Sequence, residues 1–123
     1  MRILVIFSHP SSESYGASLF DMACRTLEAA GHELRMHDLY REEFQPILTK
    51  EEWDDYLTNT DRIVAKHSDH IDDLEWAEAL VVIYPTWFYG APAMLKGWLE
   101  RVWLPGIAFE VAERFIGDEI PQV

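Results

Sequence analysis

Tyr84-Pro85-Thr86-Trp87-Phe88-Tyr89-Gly90-Ala91-Pro92-Ala93-Met94-Leu95-Lys96-Gly97-Trp98-Leu99-Glu100-Arg101-Val102-Trp103 decides how the rest of the chain is read. It follows Ala79-Leu80-Val81-Val82-Ile83, an apolar run short and β-branched enough to be a buried parallel strand. Pro85 ends that strand, because it lacks the N–H a ladder needs. Trp87, Phe88 and Tyr89 then fall in the turn before a helix that begins near Pro92, a residue suited to a first helical turn. The pattern predicts a flat aromatic lip at the C-terminal end of a strand, where open α/β sheets bind ligands. Core packing or a dimer contact is the competing reading of these aromatics. Their place at a strand-to-helix junction, with Gly90 allowing close backbone approach, favours a planar ligand.

Around this stretch the chain has 123 residues, enough for one domain with a modest core. Hydrophobic residues make up 49% and charged ones 26%, as in an ordinary globular protein. A formal net charge of −12 argues against a nucleic-acid partner, whose phosphates it repels, and against an anionic membrane surface. It does not exclude a small anionic cofactor, which responds to local backbone dipoles. The one cysteine, Cys24, lies beside Phe20 and Leu27 in a predicted helix and reads as a packed thiol. Arg2 to Phe7 is too short for a signal segment, and no apolar run is long enough to span a bilayer. A cytoplasmic protein is the expectation.

Ile3 to Phe7 reads as a central parallel strand buried on both faces. The polar loop Ser8 to Gly16 follows, with Ser14 or Ser12 capping a helix to about Ala30 and Gly31 closing it. Leu19, Met22 or Ala23, Thr26 or Leu27, and Ala30 form its expected apolar face. Glu33 to His37 alternates and reads as a second strand nearer an edge, completing a right-handed βαβ unit. Thr49-Lys50-Glu51-Glu52 predicts a capped helix start with Trp53, Tyr56 and Leu57 inward. Asp61 to Glu78 predicts a helix broken near His67 to Asp69, its buried side made by Ile71, Leu74, Trp76 and Ala77. After Pro92, helical spacing assigns Leu95, Trp98, Leu99, Val102 and Trp103 to the core, and Leu104-Pro105-Gly106 stops the helix.

The loop after the first strand is the second informative site. Its hydroxyls, its glycine and the helix it feeds favour a phosphate, although it is neither a P-loop nor a G-x-G-x-x-G turn. Paired with the aromatic lip one strand away, it would let one flavin nucleotide or dinucleotide span both. His67-x-x-His70 with Asp69, Asp72 and Asp73 has metal-ligand spacing. A solvated helix start accounts for it more simply, and no metal is assigned. The remaining carboxylates show no interpretable pairing and read as solvated surface.

Two motifs resemble the flavodoxin-like NAD(P)H:quinone oxidoreductases, the family of DT-diaphorase and the bacterial modulator-of-drug-activity reductases. One runs from His9-Pro10 through Ser14-Tyr15-Gly16-Ala17-Ser18, and the other is Tyr84 to Trp103. Asp38-Leu39-Tyr40 and Phe44-Gln45-Pro46 also look familial, and the similarity extends from Met1 to about Glu110. The resemblance implies an α/β, flavodoxin-like three-layer sandwich with a parallel sheet in which three strands, ordered 2-1-3, are evident. It implies FAD or FMN as cofactor, NAD(P)H as electron donor, a quinone-like acceptor and a homodimer.

By position in the motifs, His9, Ser14, Tyr15, Gly16 and Ser18 would line the phosphate and ribityl side of the flavin. Pro85, Thr86, Trp87, Phe88 and Tyr89 would face the isoalloxazine. Trp87 and Phe88, with Ala108, Phe109 and Glu110 from across a dimer, would form the acceptor pocket. No catalytic residue is assigned, and Gly16 stands where relatives often have Asn. Relatives continue with two more strands, so residues 1–123 correspond to the N-terminal part of the flavin-binding domain, without strands four and five. Ile116 and its neighbours, or a dimer partner, are then the candidates to cover the open edge of strand three. The rival reading is a non-catalytic flavodoxin-like remnant acting as a binding or regulatory subunit.

Overall fold

The computed structural model describes residues 1–110. The elements run β1 (Arg2–Phe7), α1 (Tyr15–Ala29), β2 (Glu33–Asp38), α2 (Lys50–Asp55), α3 (Thr60–Lys66), α4 (Ser68–Trp76), β3 (Ala79–Ile83) and α5 (Ala93–Val102). The three strands form a parallel sheet ordered β2-β1-β3, with Val5 in register with Met36 on one side and Val81 on the other. This is the flavodoxin-like α/β arrangement.

Alternation along β1 builds the two faces. Ile3 and Val5 meet Cys24, Phe20 and Leu27 of α1, and Phe7 stacks on Phe20 at 4.7 Å between ring centroids. Leu4 and Ile6 turn the other way, onto Ile63 of α3, Ile71 of α4 and Leu95, Trp98 and Val102 of α5. An unbroken apolar strand buried on both faces is the physical reason helices must cover both. No described helix is long and apolar enough to cross a membrane.

Ser14 caps α1, and Gly31, at φ +91°, follows its end in the left-handed region where glycine carries no side-chain penalty. His67 breaks the predicted long helix into α3 and α4. Cys24 is buried with its thiol raised in pKa by burial and then by Glu28 and Asp21, a packed and unreactive thiol.

Four inward faces differ from expectation. The stripe of α1 is Phe20, Cys24 and Leu27, and Leu19 and Met22 are exposed. Beside them Leu19 and Ala23 border a groove of about 380 Å³ along Val81 to Tyr84, because β3 has no second partner strand among the described residues. On and just after α2, Trp53 and Leu57 are 70% and 67% exposed, Tyr56 packs on the core as expected, and Glu52 also turns inward. Leu99 sits on the outer side of α5, and Trp76 carries the Arg35 guanidinium 4.2 Å above its ring in place of joining the core. Ile116 lies outside the described residues.

Glu52 explains the α2 departure. Its two carboxylate oxygens accept from Arg101 Nε and Nη2 at 2.9 and 2.7 Å, and Thr49 Oγ1 donates to Oε1 at 3.0 Å. Arg101 Nη1 also donates to the Gln45 carbonyl. With the Arg101 guanidinium already buried there, Glu52 turned inward spares an uncompensated charge and Trp53 is left outside, which corrects the reading of the carboxylates as uniformly solvated. Gly97, next to it on α5, packs so closely on Pro46 that any Cβ would overlap the Pro46 backbone. Together these contacts fix the helix that starts at the aromatic turn.

Candidate functional site

β1 and β3 end side by side, and Ser8 N–H donates to the Ile83 carbonyl at 3.0 Å as the last tie between them. Both informative loops therefore leave the same edge of the sheet. His9 Nδ1 accepts from the Ser11 N–H at 2.9 Å, so the neutral ring carries its proton on Nε2. The His9 ring meets Trp87 edge-on, with centroids 5.7 Å apart. That contact joins the two motifs into one rim.

At the start of α1, Ser14 Oγ donates to the Ser11 carbonyl at 2.9 Å and accepts from the Ala17 N–H at 3.1 Å. Its hydroxyl is thus committed to shaping the loop, and what it leaves at the helix start are the N–H groups of Tyr15 and Gly16. Tyr15 is 80% exposed, and Ser18 is exposed on the same first turn. At Gly16 a Cβ would meet Phe7, Ser14 and His9 at 3.7–3.8 Å, ordinary contact distances, so the position has room for a side chain.

The aromatic turn is more strained than its sequence foretells. Trp87 and Gly90 exchange two backbone bonds, N–H to carbonyl, at 3.0 and 3.2 Å. Between them Phe88 and Tyr89 take φ +51° and +66°, the left-handed pair of a type I′ turn that normally selects Asn-Gly. Positive φ therefore lies on the aromatics and not on Gly90. Phe88 and Tyr89 are 98% and 99% exposed, and their rings stand at 68° to each other, so they do not form one flat surface. Pro85 is half-buried and Thr86 exposed below them.

Ala108, Phe109 and Glu110 belong to a separate turn, held by the Ala108 N–H to the Leu104 carbonyl at 3.0 Å and the Gly106 N–H to the Phe109 carbonyl at 2.7 Å. Phe109 is 40% exposed. Among the described residues, no hydrogen bond or ring contact ties this turn to His9, Trp87 or Phe88.

His70 of α4 faces inward. His70 stacks on His37 at 3.9 Å, and the Trp98 indole N–H donates to His70 Nδ1 at 3.1 Å. His37 is held between Glu42 and Asp73 at 2.7 and 2.6 Å. His37, Glu42 and His70 bring ligand atoms within 4.8 Å of one another. In the neutral His70, Nδ1 accepts from Trp98 and the proton sits on Nε2, while both ring nitrogens of His37 are engaged by carboxylates. Burial, reinforced by His37 and His67, pushes His70 down to about 4. Burial and then Arg101 lower His67 against the opposing pull of Glu52. Burial would raise Glu52, but hydrogen bonds from Arg101 and Thr49 and the charge of Arg101 outweigh it and hold the carboxyl at about 2.

The sequence did not announce Ser8, whose Oγ is buried at the end of β1 without a hydrogen-bond partner among the described residues. The hint was the alternation Leu4, Ile6, Ser8, which turns a hydroxyl inward where the strand meets the rim.

A family profile described as flavodoxin-like fold matches residues 1–119. The chain is 33% identical to a ribosyldihydronicotinamide dehydrogenase-like protein, traD, of Penicillium crustosum, over 92% of this chain and 48% of that one. It is 32% identical to an uncharacterized NAD(P)H oxidoreductase, YcaK, of Escherichia coli, over 88% and 55%. The solved NAD(P)H:quinone oxidoreductase of Methanothermobacter marburgensis superposes with a TM-score of 0.78 at 31% identity, over 98% of this chain and 59% of that one. The chain spans about half the length of the curated relatives it matches.

Proposed function

This chain belongs to the flavodoxin-like family matched over residues 1–119, and from that premise we propose that it is the flavin-binding part of a two-electron NAD(P)H oxidoreductase with a quinone-like acceptor. The observation that carries the reading is the His9–Trp87 contact, which unites a helix-start loop and an aromatic turn at one edge of a parallel sheet. Relatives over the same half of the fold bear the names of NAD(P)H and quinone oxidoreductases, which supports the direction.

The residues fit a flavin nucleotide in three respects. The free N–H groups of Tyr15 and Gly16, with the exposed Ser18 hydroxyl, suit phosphate oxygens at the positive end of α1. Trp87, Phe88 and Tyr89, which follow Pro85 and Thr86, offer apolar faces for an isoalloxazine to cover. His9 Nε2–H remains as a hydrogen-bonding group between the two ends. Ser14 holds this geometry through its cap.

Bound FAD or FMN supplies the redox chemistry, so that NAD(P)H, a proton and a quinone give NAD(P)⁺ and a hydroquinone. The protein's share is placement: backbone N–H groups hold the phosphate, the aromatic turn orients the ring, and no side chain is given a proton-relay role. Ala108, Phe109 and Glu110 contribute to the acceptor pocket of the partner subunit in a homodimer. That arrangement accounts for their separation from the rim within one chain.

The test is a titration of the 123-residue chain with FAD and FMN separately, followed by tryptophan quenching and the visible spectrum. Saturable micromolar or tighter binding, with bleaching by NADH or NADPH, is expected. A folded chain that binds neither flavin refutes the oxidoreductase reading and leaves a non-catalytic binding or regulatory subunit.

A further inference from the structure

Cations are scarce in a chain with a formal net charge of −12. Among the described residues, every lysine and arginine except Arg41 and Lys96 pairs with a carboxylate. Lys96 has a carboxylate available, since Glu100 lies one turn further along α5. Lys50 and Asp54 pair at that same spacing, at 2.8 Å. Lys96 makes no ion pair with Glu100. Its Nζ instead lies 3.7 Å from the point where a Gly90 Cβ would stand, against the Trp87–Gly90 turn. The direction agrees with the tilt of helical side chains toward the helix N-terminus.

Helix stability does not account for that choice. Lys96 is the fourth residue of α5, in the turn where the macrodipole opposes a positive charge. The same side chain borders an apolar groove with Ile47, Leu48 and Ala93, so its stem is supported while its exposed head faces solvent. The remaining consequence is electrostatic. A strongly acidic protein repels small anions from its surface, and an ammonium set against the Trp87–Gly90 turn, with no carboxylate partner among the described residues, offsets that repulsion locally.

We propose that Lys96 is a specificity-determining residue that selects a planar acceptor bearing an anionic group, a carboxylate or sulfonate, at the Trp87–Gly90 turn. The acceptor's ring lies against Trp87 and Phe88, and its acid group reaches the Lys96 ammonium. This rests on the reading of the turn as the flavin and acceptor face.

The experiment compares naphthoquinone sulfonate with neutral menadione, with dissociation constants taken from tryptophan quenching, on the flavin-free and flavin-titrated chain. Wild type, Lys96→Met and Lys96→Arg are measured at low and high salt. Lys96→Met should lower the preference for the sulfonate about fivefold, the size of an exposed ion pair. Lys96→Arg should keep it, and high salt should erase the difference between variants. An unchanged preference in Lys96→Met, or binding of neither probe to wild type, overturns the proposal. Failure of the flavin titration with a preserved Lys96 effect would remove the oxidoreductase reading alone. Flavin binding without that effect would remove only the assignment of Lys96.

Discussion

Beneath α5, Glu52 is 1% exposed and both of its carboxylate oxygens are bound by Arg101, while at the rim where α5 starts, Phe88 and Tyr89 stand 98% and 99% exposed in left-handed backbone. The two regions are joined by one ten-residue helix and follow opposite rules. The inner one consists of polar groups that would be costly alone and are all partnered: Glu52 with Arg101, Trp98 with His70, His37 with Glu42 and Asp73. The outer one keeps strained aromatics, and beneath it the buried Ser8 hydroxyl has no partner among the described residues. Strain and unmet polarity persist where the surrounding structure over-determines them, and such features cluster at functional sites. The inner seam is scaffold, and it makes the outer rim affordable.

The comparison breaks most severely at Glu52. Replacing it with Ala leaves the Arg101 charge buried and unpaired, and should cost about 3–5 kcal/mol in urea unfolding. Replacing Glu52 with Leu and Arg101 with Met together should recover most of that loss, since removing both partners spares the uncompensated charge. A single Glu52→Ala within 1 kcal/mol of wild type would show the pair to be incidental.

Protonation reaches the same seam more gently. His70 titrates at about 4 in the folded chain against 6.5 when free, and His67 is lowered as well. Between these values the unfolded state binds more protons, so stability is full above pH 6.5 and falls as the pH drops toward 4. Glu52, held at about 2 against an ordinary 4.5, adds a second loss as the pH falls from 4.5 toward 2. Thermal melts across this range should show both slopes, and His70→Gln should flatten the first. A wild-type melting temperature constant from pH 7 to 4.5 would contradict the neutral buried histidines.

The rim should respond in affinity, not stability. Trp87→Ala with Phe88→Ala should weaken flavin binding by about 2–3 kcal/mol, the scale of removing large apolar side chains from contact. The melting temperature should change less than the affinity, because Phe88 is almost wholly exposed and Trp87 touches His9 only edge-on. Unchanged flavin affinity in this double variant would refute the placement of the ring.

The smallest effect is also the most discriminating. Phe88→Asn with Tyr89→Gly supplies the residues a type I′ turn prefers and should stabilise the chain by about 1–2 kcal/mol, while flavin binding weakens. Opposite signs for stability and affinity are the signature of a strained functional turn. If both rise together, the turn is not part of a site.

Much of this was legible in the residue order. Unbroken apolar runs at Ile3 to Phe7 and Ala79 to Ile83, with a capped helix between the first and second strands, dictate a parallel sheet covered on both faces. The hydroxyl-rich loop and the aromatic motif pointed to one edge, because parallel strands all end on the same side. Local chemistry decided these features: hydrophobic period, caps and the missing N–H of proline act within a few residues.

Tertiary structure alone decided the rest. Nothing near Glu52 in sequence announces Arg101, and a carboxylate displaced Trp53 from the inward face only because a guanidinium arrives there from α5. Gly97 reads as a weak point in a helix until Pro46 is brought against it. The positive φ values of Phe88 and Tyr89 follow from closing Trp87 on Gly90, not from any preference of aromatic residues. Sequence specifies interactions whose partners are near along the chain. Burial, pairing and strain depend on partners from distant segments, and only the packed fold brings those together.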